Sequence, residues 1–139
     1  MLTQVQADRL IELAKEAERT DPFVWIANRQ TDEFFTAVNE KELKFVLSLK
    51  RNPFEIRLHL RTRDRDIGLV RVDNHRYHAN PDGTEVCDQP HLHRYREGYG
   101  LEWAERVDWY SVRDPFGTLE RFLQIINGRF PRGIQMELI

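Results

Sequence analysis

From Leu43 to Arg63 apolar and polar side chains alternate through two consecutive runs, and this constrains the fold more than anything else in the chain. In the first run Leu43, Phe45, Leu47 and Leu49 alternate with Lys44, Val46, Ser48 and Lys50. In the second, Ile56, Leu58 and Leu60 alternate with Glu55, Arg57, His59, Arg61 and Arg63, and Asn52-Pro53 between the runs makes a turn. Successive side chains of a strand point to opposite faces, so the pattern predicts two antiparallel strands with one apolar and one wet face. The rest of the chain must extend that sheet and cover its apolar side.

The flanking segments supply both. Thr3-Gln4-Val5-Gln6 has capping-box spacing, and Val5, Leu10, Leu13, Ala14 and Ala17 recur at helical spacing, predicting a helix to about Arg19, before Asp21-Pro22. Phe23–Ala27 and Glu33–Val38 read as a strand hairpin, and Ile67–Asp73 as a further strand. Asn74–Gln89 is rich in turn formers, with Asn80-Pro81-Asp82-Gly83 a strong turn; Pro90–Arg96 is extended again, and Tyr99–Arg106 fits one or two helical turns. Asp114-Pro115 starts a helix with an apolar stripe of Phe116, Leu119, Phe122, Leu123 and Ile126, closed by Asn127-Gly128. Ile134, Met136 and Leu138 form a last strand. The expected architecture is α+β, one domain over residues 1–139, with an antiparallel sheet of about five or six strands and the N- and C-terminal helices packed on one face.

At 139 residues the chain buries enough surface to fold without disulfide or metal, and its single cysteine, Cys87, excludes an internal disulfide. The first twenty residues are too charged for a signal peptide's apolar centre, and no stretch approaches the roughly 20 apolar residues of a membrane span. A cytoplasmic location with no membrane partner is expected. Arginine supplies all but four of the 21 basic residues, and it suits bidentate recognition of phosphate better than lysine does. The net charge of −2 argues against strong non-specific nucleic-acid binding.

Chemistry concentrates between Asp73 and Glu97. His75, His78, His91 and His93, four of the five histidines, fall there. Period two along Pro90–Glu97 puts His91, His93, Tyr95 and Glu97 on one face and Leu92, Arg94 and Arg96 on the other, and the Asn80–Gly83 turn folds His78 back toward them.

The run Tyr77-His78-Ala79-Asn80-Pro81-Asp82-Gly83, then His91-x-His93-x-Tyr95-x-Glu97-x-Tyr99, then Trp103-Ala104, resembles the signature of an uncharacterised family of small bacterial and phage proteins. That family's pattern is close to P-H-x-N-P-D-G, H-x-H-x-Y-x-E-x-Y and W-A, with F-L in a following helix similar to Phe122-Leu123; Tyr77 stands where the pattern has proline. The resemblance implies positions and no activity. Val70–His75 followed by H-x-H is also similar to small toxins of toxin–antitoxin pairs, in which an R-Y-D segment precedes a His/Arg-rich turn.

Three readings follow. The first is a toxin-like endoribonuclease. His91 and His93 would form its acid–base pair, assisted by His78 and oriented by Tyr95 and Glu97. Arg57, Arg61, Arg71, Arg76, Arg94 and Arg96 are its candidate phosphate and nucleic-acid contacts, with Arg76 favoured over Arg94 on geometry. The second is a non-catalytic module of a phage, toxin–antitoxin or defence locus that binds RNA, an antitoxin or another protein. The third is a metal-dependent hydrolase whose H-x-H pair is joined by His78 or Asp73, with Cys87 near in sequence. The first needs no cofactor.

Overall fold

The computed structural model describes residues 1–137. The two alternating runs form the centre of the sheet, β4 (Lys44–Arg51) and β5 (Ile56–Thr62). Before them come α1 (Gln4–Glu12), β1 (Lys15–Ala17), β2 (Phe23–Trp25) and β3 (Thr31–Ala37). After them come β6 (Gly68–Asp73), β7 (Tyr77–Ala79), β8 (Glu85–Cys87), β9 (His91–Arg94), β10 (Ala104–Arg106), α2 (Pro115–Ile126), β11 (Gly128–Arg129) and β12 (Ile134–Met136). The main sheet has eight strands, not five or six, in the order β10-β9-β6-β5-β4-β3-β1-β11, all antiparallel neighbours except β1 and β11. Short segments with too few residues to show a period, β1, β10 and β11, make up the difference.

Register carries the apolar alternation across the sheet. Leu49, Leu58, Val72 and Leu92 form one inward row, and Leu47, Leu60 and Val70 the next. Ala7 and Ile11 of α1 and Leu119, Phe122, Leu123 and Ile126 of α2 join these rows in one buried cluster, so both helices cover the same face. Their caps follow the sequence: Thr3 and Gln6 close the capping box, and Asp114 accepts from the Gly117 amide at 3.0 Å.

Three expectations are corrected. The first helix stops at Glu12, because the next residues extend into β1 between β3 and β11, and Val5 is solvent-exposed. Lys15 in that strand is 1 % exposed, and its Nζ donates to the carbonyls of Ile11, Leu13 and Ile126 at 2.7–2.8 Å, tying together the C-terminal ends of both helices. Phe23–Trp25 and Thr31–Ala37 do not form a hairpin: β2 pairs in parallel with β12, and β3 pairs with β1 and β4. Tyr99–Arg106 is a turn leading into edge strand β10 rather than helix. Leu138, expected in the last strand, lies outside the described residues. Among the described residues no helix is long and apolar enough to cross a membrane.

Candidate functional site

The wet face of the same sheet holds the site. His59 of β5 stands opposite Arg71 of β6, and Arg71 opposite His93 of β9; Asp73 of β6 stands opposite His91. The period-two rule that sends Val70, Val72 and Leu92 into the core therefore sends these five polar side chains to the other side together. Gly68 lets the row close up, since a Cβ there would lie 2.6 Å from the Leu101 side chain and 3.0 Å from His59 Nε2.

The β7–β8 hairpin folds over this face, held by the turn residue Asn80. The Asn80 side-chain amide donates to the Ala104 carbonyl at 3.0 Å and accepts from the Ala104 N–H at 2.8 Å, pairing with edge strand β10 as a backbone would. Gly83, at φ +88°, closes the turn, and its amide donates to the Asn80 carbonyl. The His78 Nε2 donates to the Glu102 carbonyl at 2.6 Å, which brings its ring centroid to 4.7 Å from that of His93 and 5.7 Å from that of His91. The His91 and His93 centroids are 5.0 Å apart. A cavity of about 310 Å³ is lined by these three histidines with Glu55, Arg57, Arg71, Asp73, His75 and Tyr77.

Hydrogen-bond roles fix the charge states. Arg71 Nη2 lies 3.2 Å from His93 Nε2, and a guanidinium only donates, so that nitrogen carries a lone pair. The His93 proton is on Nδ1, which donates to the Leu101 carbonyl at 2.7 Å. Burial, then the Arg71 charge, lowers the His93 pKa to about 4. His91 is the opposite case: Nδ1 faces the Gln89 carbonyl at 3.0 Å and Nε2 faces Asp73 Oδ1 at 3.0 Å, two acceptors that together call for an imidazolium. Burial opposes the charge, but the bonds to Asp73 and Gln89 outweigh it and raise the pKa. Burial works against the Asp73 carboxylate too, yet the bonds from His91 and the His75 amide, with Arg71 alongside, hold its pKa far below the ordinary range. One carboxylate thus faces an imidazolium and a guanidinium, leaving the cluster one positive charge in excess, with Arg57 and Glu55, of opposite sign, on the same cavity wall.

The histidines expected together, His78, His91 and His93, are together. Tyr95 and Glu97 are not with them, because β9 ends at Arg94. Leu69 and Val70 are both in the core, where a register shift between Leu60 and Arg61 breaks the alternation. Tyr95, whose amide bonds to the Leu69 carbonyl, follows them inward, and its hydroxyl exchanges hydrogen bonds with the Leu2 backbone. Glu97 accepts from the Gln4 amide, so both residues tie the start of α1 to the sheet.

Of the arginines, Arg57 and Arg71 line the cavity, while Arg61 bonds to Ser48 and Arg94 is exposed on the parity of Val70, away from His93. Arg96 stacks over Trp103 at 4.1 Å, and Arg76 is 92 % exposed beside Asp88, so Arg71 holds the place expected of Arg76. The sequence gives Asn80 only a turn, and joins Asp73 to the H-x-H pair only as an alternative metal ligand, not as the ion-pair partner of His91. The parity shared by Arg57, His59, Arg71 and Asp73 carried part of that signal.

Compared with known proteins, residues 2–127 match the model of a family of unknown function, DUF6978. No curated protein and no solved structure matches the chain.

Proposed function

The chain belongs to the DUF6978 family, which brings no activity with it, and from the site itself we propose that the protein cleaves single-stranded RNA by metal-independent proton transfer. The excess positive charge of the buried cluster carries this reading: a group of Asp73, His91, Arg71 and neutral His93 is one anion short of balance, and a phosphodiester supplies that anion. Arg71 and Arg57 bind the phosphate. As Arg71 turns to it, His93 Nε2 is released and takes the 2′-hydroxyl proton. The 2′-oxygen bonds to phosphorus, the P–O5′ bond breaks, and His91 gives its Nε2 proton to the departing oxygen. The products are a 2′,3′-cyclic phosphate and a 5′-hydroxyl. A pair of like groups pushed to opposite protonation states is what such an exchange requires.

The test is incubation of a single-stranded oligoribonucleotide with the protein in EDTA. Cyclic-phosphate ends are expected, with cleavage falling about 10²–10⁴-fold in His91→Ala and His93→Ala and vanishing when the 2′-hydroxyl at the cut position is replaced by hydrogen. Full activity in both variants would overturn the assignment. If the cleavage is toxin-like, expression arrests growth and His93→Ala relieves the arrest.

A further inference from the structure

We propose that Asp73, His91 and His93 also form a zinc-type metal site, completed by His78, whose occupation excludes the acid–base state described above; the regulatory half of this inference rests on that reading, the binding half does not. One donor atom from each of Asp73, His91 and His93 lies within 4.8 Å of the others. A tetrahedral ion with bonds near 2.0–2.1 Å needs its donors about 3.3–3.4 Å apart, so the three close by roughly 1.5 Å or less. Both imidazoles are oriented as metal ligands are, with Nδ1 on a backbone carbonyl and Nε2 turned to the common centre. His78 stands outside that set of three, but its Nε2 donates to Glu102, which leaves the Nδ1 lone pair free, and with its ring centroid 4.7 Å from that of His93 a swing of the ring brings it in as a fourth ligand. Two or three imidazoles and one carboxylate suit Zn²⁺, with Co²⁺ as its spectroscopic substitute.

Arg71 is the reason for exclusion. Its Nη2 sits on the His93 Nε2 lone pair at 3.2 Å and its Nε on Asp73 Oδ2 at 3.1 Å, the same lone pairs an ion would take. The guanidinium stands in for the metal. Its side chain is 25 % exposed, so it can swing toward solvent when an ion enters. A bound ion would then hold His93 as a ligand, leaving no base for a 2′-hydroxyl.

The experiment titrates metal-free protein with Co²⁺, followed by its visible absorption, and with Zn²⁺ by calorimetry. One ion per chain is expected, with loss of tetrahedral Co²⁺ absorption in His91→Ala and His93→Ala and weaker binding in His78→Ala. Arg71→Ala is expected to bind roughly tenfold more tightly, the factor for no longer breaking a charge-assisted hydrogen bond. Misfolding cannot produce that gain, so this variant keeps the proposal testable where the histidine variants fail to fold. No binding, or binding indifferent to both His91→Ala and His93→Ala, would overturn the site. Binding without any RNA cleavage in EDTA leaves the metal site standing and removes the nuclease reading. Cleavage that persists unchanged at saturating Zn²⁺ overturns the exclusion.

Discussion

Replacing Asn80 with alanine tests whether the site is assembled by its hairpin. The Asn80 side chain makes two hydrogen bonds to the Ala104 backbone, at 3.0 and 2.8 Å, and a third to Thr84 Oγ1 at 3.1 Å. At a net 0.5–1.5 kcal/mol each, with the Thr84 bond exposed, the two to Ala104 dominate, and the loss is about 2 kcal/mol. This cost falls on hairpin opening rather than global unfolding, because β7 and β8 pair only with each other and none of their residues belongs to the buried cluster. Two kcal/mol is a factor of about 30 in an opening equilibrium. Native-state hydrogen exchange reads it at an amide whose acceptor survives the substitution: the Asp88 amide, bonded to the Arg76 carbonyl at the base of the hairpin, should lose up to about that factor in protection as the undocked two-stranded hairpin melts. Amides of the central pair β4 and β5 should not change. Unaltered Asp88 exchange would refute the argument, as would an equal loss throughout the sheet.

Lys15→Met should lower the melting temperature by roughly 10 °C, since it leaves three buried helix-end carbonyls unpaired at a net cost of about 3 kcal/mol after relief of a buried charge; a melting temperature within 2–3 °C of the wild type would contradict this. Burial pulls the Lys15 pKa down to about 7, but only the ammonium has three N–H bonds for three carbonyls, so methionine cannot substitute for it. His59 is held to a pKa of about 4 by burial, then by Arg71, Arg61 and Arg57, so its neutral form favours folding. The contribution is complete above the ordinary value of 6.5 and is lost as pH falls toward 4, amounting to about 3 kcal/mol at most. Urea unfolding at pH 7 and pH 4.5 should therefore show a smaller acid loss in His59→Gln than in the wild type; equal losses would refute it.

Much of this was legible in residues 43–63, where period two fixed both faces and the central hairpin, and in the caps at Thr3 and Asp114. The convergence of His78 with His91 and His93 was legible too, because a turn former and an alternating strand are local signals. What failed depended on distant partners. Lys15–Ala17 carries helical spacing as well as strand spacing, and only pairing with Gly128–Arg129 and Phe35–Ala37 decides between them. Period two puts Tyr95 on the histidine face, and the structure turns it inward because the break in alternation lies on a neighbouring strand, at Leu69 and Val70. Nothing local to Pro90–Glu97 announces it.

Access couples the two proposals. His91 and His93 are each 1 % exposed, so neither a phosphodiester nor an ion reaches them through the closed face. The covering piece is the β7–β8 hairpin, which carries His78 and is fastened by Asn80 to Ala104. Loosening that fastening should speed entry of either ligand while costing whatever His78 contributes once the ligand is bound. In Asn80→Ala, therefore, the rate of Zn²⁺ association should rise while the dissociation rate rises as well, whereas Arg71→Ala should act on affinity with exchange at Asp88 unaltered. Stopped-flow mixing with Co²⁺ separates these effects. If Asn80→Ala left the association rate unchanged, the hairpin would not be the door, and a route past Glu55 and Arg57, which line the cavity at the start of β5, would take its place.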